Sequence, residues 1–340
     1  MAYQNVGTPR FYVDHGLWLH SSGVKDFYEI DTWTGLSYEM LLLNPSVTRG
    51  IGIPSADYGH VIIGRYAPVN YIALLGHQMG GGNCFPQWRD GINSDLPSNM
   101  VSVVNGGNNT GVEYDGFSIT VFDDNPSATQ FGIVIDGAGS GSYLNAASIG
   151  SYYDMPHSPD LSLTLTREYG GVKTIETKGG STLSNDFGSK PPAWGDLGAW
   201  ELGSADPKLS RSGRRIWDLS FSYLSAKDIM GAPELVDQSP ATAELGGGDT
   251  GGTNLVGLGW DSDDVDDNDS FAYNLMNHND FYSQVIHKTN GGQLPFIFQP
   301  DSSNNSPDAF AIAKLDMKEF KFKQVANGVY NVKLKIREVW

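Results

Sequence analysis

From Tyr330 onward the apolar residues fall on every second position (Tyr330, Val332, Leu334, Ile336), with Asn331, Lys333, Lys335 and Arg337 between them. A period of two puts these sets on opposite faces of a half-buried strand. Asn327-Gly328 separates this run from the one that begins at Phe320, and it predicts a hairpin with a primed turn, which needs positive φ at both central positions. Pro295–Asp301 and Phe310–Asp316 are two further short apolar runs, so the chain is expected to end in a sheet.

Upstream, Arg10–Leu19 reads as an opening strand. Asp31–Asn44 fits either a helix face (Leu36, Met40, Leu43) or a buried strand stopped at Asn44-Pro45. Val61–Ile63, Tyr71–Leu75, Phe117–Phe122 and Phe131–Ile135 are bounded by Gly, Asn, Asp or Pro, the spacing of a sandwich or jelly roll. After Ser158-Pro159-Asp160, Leu161, Leu163 and Leu165 alternate with small polar residues as a one-sided strand. Gly170-Gly171 and Gly179-Gly180 then predict a hairpin in which Val172–Lys178 returns against it. Phe281, Val285 and Ile286 have helical spacing, with Asn279-Asp280 as N-cap and Asn290-Gly291 as stop.

The change of pattern near residue 158 divides the chain into two expected β-sandwich domains, 1–158 and 159–340. Two Gly- and polar-rich loops, 184–212 and 230–259, are longer than ordinary connections. Trp194, Trp200 and Trp260, in or beside them, are candidate anchors of an oligomer interface.

Frequent glycine (42) and proline (17) with only 18% charged residues suit a turn-rich, mainly β protein better than a helical one. A net charge of −17 disfavours nucleic acid and anionic membrane surfaces as partners, because both are bound through clustered Lys and Arg. Cys84 is the one cysteine, which excludes an intrachain disulfide and a multi-cysteine zinc site. The opening residues lack a basic segment followed by an apolar run, and no stretch reaches the ~20 apolar residues of a membrane span. Synthesis and folding in the cytoplasm of the producing cell are expected.

The best metal candidate is the acidic run Asp261, Asp263, Asp264, Asp266, Asp267 and Asp269, whose hard oxygens suit a structural Ca²⁺. It lacks the glycine and glutamate of an EF-hand loop and reads better as a solvated acidic loop, so no cofactor is assigned. The histidines (His15, His20, His60, His77, His157, His278, His287) form no zinc spacing, and His77 reads as a structural residue at a strand end. Gly137–Gly141 lacks the order of a nucleophile elbow, and Gly246–Gly252 has no following Lys-Ser or Lys-Thr, so neither carries a catalytic signature. Phe27-Tyr28, Trp33 and Tyr38, or Tyr143, Tyr152 and Tyr153, fit either a sugar-stacking platform or core packing.

Trp217–Leu224, the helix after Asn279, Thr289–Gly292, Pro295–Phe298 and the closing strand together resemble the C-terminal domain of tail and tail-tip virion proteins of tailed, particularly marine, bacteriophages. Asn70–His77 and Ile149–Pro156 resemble strands of the jelly-roll, galactose-binding-like module of such proteins. The resemblance implies a jelly-roll domain followed by a tail-tube-like sandwich with one helix, in a non-enzymatic component of the virion tail. It also implies a homo-oligomeric, sixfold ring in contact with other tail proteins. A receptor- or glycan-binding module at the tail tip, taking a host surface glycan, is the alternative, followed by a capsid decoration protein and then a polysaccharide depolymerase.

Overall fold

The computed structural model describes residues 7–24, 28–31, 42–43, 51–52, 58–77, 83–90, 93–104, 116–136, 141–168, 173–185, 213–229, 275–276, 278–306 and 309–339. Along the first half run β1 (Arg10–Asp14), α1 (His15–Ser21), β2 (Tyr28–Asp31), β3 (Ile51–Gly52), β4 (Tyr58–Gly64), β5 (Tyr71–His77) and β6 (Asn83–Asp90). They are followed by β7 (Asn93–Asp95), β8 (Val101–Val104), β9 (Gly116–Val121), β10 (Gln130–Asp136), β11 (Tyr143–Leu144) and β12 (Ala146–Asp154). The second half holds β13 (Thr164–Glu168), β14 (Lys173–Glu176), β15 (Thr182–Asn185), β16 (Arg214–Ser225) and α2 (Ala226–Ile229). A π-helix (Tyr282–His287), β17 (Phe296–Gln299), β18 (Ala311–Leu315), β19 (Phe322–Ala326) and β20 (Val329–Glu338) close the chain. The protein is mainly β, and no helix among the described residues is long and apolar enough to cross a membrane.

Ten strands form the path β13-β16-β20-β18-β17-β1-β12-β5-β9-β8 of one antiparallel sheet, and β19 joins it as an eleventh on β20. β1 is the hinge of this order: one edge pairs with β12 and the other with β17. Strands from both sides of residue 158 thus share one hydrogen-bonded sheet.

Alternation along β1 feeds two cores, as the strand period requires. Phe11 and Val13 pack with Trp217, Phe281, Phe296 and Phe298 under the π-helix, while Tyr12 packs on the other face with Tyr71, Ile297 and Phe310. Farther along, Ile72, Leu74, Ala147 and Ile149 meet Val61, Ile63, Phe131 and Ile133 of a second sheet, β2-β4-β10-β6-β7, in a β-sandwich. Fully burying each such side chain stabilises the fold by roughly 1.5–3 kcal/mol.

Several local expectations are corrected. The opening strand stops at Asp14, and residues 15–21 turn into α1, because the Asp14 carboxylate accepts the Leu17 N–H at 3.1 Å as an N-cap. β13 pairs with β16, and β14 pairs with β15 in a separate two-stranded hairpin. At the β19–β20 turn Gly328 has φ +65° but Asn327 is not left-handed, and the register shifts between Gln324 and Ala326, so the primed turn is replaced by a bulged one. The helix after Asn279 forms as a π-helix, with Asp280 capping Ser283 N–H at 2.8 Å and Asn290 and Gly291 at positive φ ending it.

Candidate functional site

Two features stand out from the packed sandwich: a buried polar seam beneath the π-helix and a set of exposed apolar side chains along the β13 edge. The seam forms where β1 bends into α1. Gly150 of β12 lies opposite Asp14, and a Cβ there would overlap the Val13 carbonyl oxygen, so the bend requires glycine.

His15 Nε2 and Ser151 Oγ lie 3.1 Å apart, and Ser151 Oγ donates to Gln284 Oε1 at 3.0 Å. Gln284 Oε1 also accepts from Lys288 Nζ at 2.7 Å, and its amide donates to the His278 carbonyl at 2.5 Å. Because Ser151 gives its proton to Gln284, the network assigns the proton of this ring nitrogen to His15, which donates to the serine oxygen. Burial, reinforced by the charges of Lys288 and Arg65, holds His15 well below the ordinary histidine range, consistent with a neutral ring. The pair is therefore oriented opposite to a nucleophile activated by a general base. His15, Ser151, Gln284 and Lys288 are all buried, and Trp18 stands edge-on to both His15 and His287.

Two groups in the seam carry strained ionisation. Burial pushes the Lys288 amine down to about 7, against the pull of Asp280 and Asp124. Burial pushes the Asp14 carboxyl up to about 7, although the N–H groups of Leu17 and Gly16 favour its charged form. With its ends on α1, β12 and the π-helix, the seam clasps the start of the chain to its last third.

The exposed feature is the edge of the large sheet. Leu161 is 79% exposed and Leu165 51% exposed, so the leucine face that predicts a one-sided core strand is instead open to solvent; Leu163 alone packs against the core. Ile175 and Leu183 face each other across the β14–β15 hairpin and are exposed as well. Tyr223, 83% exposed, sits at a β-bulge between Phe221 and Leu224 with φ +63°. A left-handed backbone is strained for a bulky residue, and a bulge re-aims its side chain. Asp160 fastens this end of the edge, its N–H donating to the Ser220 carbonyl at 2.8 Å and its carboxylate accepting from Ser222 Oγ at 2.9 Å.

On the neighbouring strands, Ser162, Asp218, Ser220, Met317, Lys333 and Lys335 line an open groove of about 340 Å³. Lys335 pairs with Asp316 at 3.6 Å, and Arg337 pairs with Glu168 of β13. Beside them Arg215 and Glu338 form a buried bidentate ion pair, and Arg215 also donates to the Phe310 carbonyl at 2.5 Å.

Trp194, Trp200, Trp260 and the acidic run Asp261–Asp269 lie outside the described residues, as do most of loops 184–212 and 230–259. Among the described residues no cluster of three or more His, Cys, Asp or Glu is arranged to hold a metal ion. His77 ends β5 fully buried, with no hydrogen-bond partner for either ring nitrogen among the described residues, and burial lowers it to about 4, so its ring is neutral at pH 7. Tyr152 and Tyr153 point to opposite faces of β12: Arg10 stacks over the first at 4.2 Å, and the second donates to the Asp228 carbonyl at 2.9 Å. They do not share one stacking platform. The sequence reading missed the seam, whose members come from distant parts of the chain; Asp14 before an apolar run, as a helix N-cap, is the one signal that could have pointed to it.

Compared with known proteins, the chain matches no family model, no curated protein and no solved structure.

Proposed function

We propose that this protein is a non-enzymatic structural component of a tailed bacteriophage virion, placed in the tail or tail tip and assembled as a homo-oligomeric ring. The observation that carries the reading is the exposed apolar flank of β13, the last strand in the large sheet's order among the described residues, where Leu161, Leu165 and Tyr223 meet solvent and the β14–β15 hairpin that follows exposes Ile175 and Leu183. An open apolar edge is an aggregation hazard in a monomer and a docking surface in an assembly. The sequence resemblance supplies the tail setting and the sixfold symmetry.

The polarity of the Ser151–His15 contact and the burial of the seam around it agree with a structural role. In the ring, the edges would be covered by neighbouring subunits, and other tail proteins would contact the remaining faces.

Antibody raised against this chain should decorate the tails of purified particles in negative-stain electron microscopy. Labelling of capsid vertices or faces would favour decoration, and an absence of the chain from particles by peptide mass spectrometry would refute the virion assignment.

A further inference from the structure

The sequence contains three Asn-Gly pairs, Asn105-Gly106, Asn290-Gly291 and Asn327-Gly328. An asparagine in this setting is chemically labile, because a glycine nitrogen with no Cβ beside it can approach the asparagine Cγ and close a five-membered ring. Asn105-Gly106 lies outside the described residues, and the other two pairs lie within them. Both of those asparagines are exposed, and Gly291 and Gly328 both have positive φ, +69° and +65°. Dipeptide and exposure alone therefore do not separate them.

Their surroundings do. Asn290 follows the fully buried Lys288 and Thr289 and stops the π-helix with φ +50°. Its N–H donates to the His287 carbonyl at 3.1 Å, and its side-chain amide donates to Ser21 Oγ, at the end of α1, at 2.9 Å. Cyclisation there requires a helix stop seated on the core to turn and a contact with a second element to break. Asn327 stands at the tip of the β19–β20 hairpin, outside the left-handed region, and its side chain makes no hydrogen bond among the described residues. Residues 323–326 before it are exposed, β19 pairs with β20 alone among the described residues, and the register shifts between Gln324 and Ala326. Whatever contact Gly328 keeps lies at the tip of an irregular hairpin, where local opening costs little.

We propose that Asn327 is a site of spontaneous modification, converted through a succinimide with Gly328 to aspartate and isoaspartate, while the fold protects Asn290. The Gly328 nitrogen bonds to Asn327 Cγ, the Cγ–Nδ2 bond breaks, and the amide group leaves as ammonia with the proton that the Gly328 nitrogen gives up. Water then opens the ring at one of its two carbonyls. One opening restores the ordinary backbone with a carboxylate side chain, and the other routes the backbone through Cγ and lengthens it by a methylene. Either product places a negative charge on a hairpin whose strands carry Lys323 and Lys333. The longer product also disturbs the Ala326–Val329 pairing next to the turn, so β19 loses its register on β20. The chemistry needs no partner and is independent of the assembly proposed above.

The test is peptide mapping by mass spectrometry, with electron-transfer fragmentation to tell isoaspartate from aspartate. It is run on the folded full chain held at mildly alkaline pH and on the same chain in urea. In the folded chain Asn327 should lose its amide at least about tenfold faster than Asn290, a gap that needs only about 1.4 kcal/mol of local ordering at Asn290. In urea the two rates should converge. Ser21→Ala, which removes the acceptor of the Asn290 amide, should speed the loss at Asn290 and leave that at Asn327 unchanged. Asn327→Gln should abolish the product at the hairpin and keep the wild-type unfolding midpoint.

Equal rates at the two asparagines in the folded chain would overturn the protection of Asn290. An Asn327 that keeps its amide in the folded chain, whether or not it loses it in urea, would overturn the site itself.

Discussion

Phe11 of β1 stands directly opposite Phe298 of β17, with ring centroids 5.2 Å apart. Phe11 also meets Phe281 edge-on at 5.5 Å and Phe296 at 5.6 Å, so a residue near the start of the chain sits among three aromatics from its last sixty positions. Since β1 is also paired with β12, the two halves of the sheet share this strand as their common member.

Truncating that residue should weaken both halves together. Phe11→Ala removes a fully buried ring and is expected to cost about 3–5 kcal/mol. Chemical denaturation followed by tryptophan fluorescence and by far-ultraviolet circular dichroism should show one coincident transition moved to lower denaturant. Two separated transitions would show that the halves unfold independently.

Lys288 and Asp14 give opposite pH dependences. The unfolded Lys288 titrates near 10.5 and the folded one near 7, so between these values the unfolded chain binds more protons and stability rises with pH. The folded Asp14 titrates near 7 and the unfolded one near 3.8, so from 3.8 to 7 the folded chain binds more protons and this group makes stability fall as pH rises. Each slope is at most about 1.4 kcal/mol per pH unit. Thermal melts across pH should lose the alkaline rise in Lys288→Met and the acid-side fall in Asp14→Asn; unchanged profiles would contradict the burial argument.

The Arg215–Glu338 pair should be costly to break and cheap to replace. Removing one partner, as in Glu338→Leu, leaves a buried guanidinium uncompensated and is expected to cost about 3–5 kcal/mol. Replacing both, R215M/E338L, should recover a large part of it. A double-mutant cycle from urea denaturation measures the difference, and additive losses would argue against a buried coupled pair.

Tyr223 is expected to trade stability for association. Glycine adopts φ +63° without strain, and the tyrosine side chain is 83% exposed, so Tyr223→Gly should stabilise the isolated chain by about 1 kcal/mol. The same change removes an aromatic contact from the proposed edge and should weaken self-association. A variant that is both less stable and equally associated would contradict the strain and the interface together.

The mainly β class and the closing strand were legible because period-two alternation is a local signal, and Tyr330, Val332, Leu334 and Ile336 are indeed the buried face of β20. Asn279-Asp280 and Asn290-Gly291 marked the ends of the helix, since capping chemistry is also local. Pairing was not legible. The partner of β13 is β16, some fifty residues on, and sequence alternation at Leu161, Leu163 and Leu165 cannot tell a core face from an open one. The seam is closed by the His15–Ser151 and Ser151–Gln284 contacts, between residues more than a hundred positions apart, and only the Gln284–Lys288 bond within it is local.

The most direct test of the ring is cryo-electron microscopy of the intact particle, with this sequence traced into the density. Subunits arranged in a ring around the tail axis are the predicted result. Density for the chain on the capsid, or as an isolated peripheral subunit, would contradict the account.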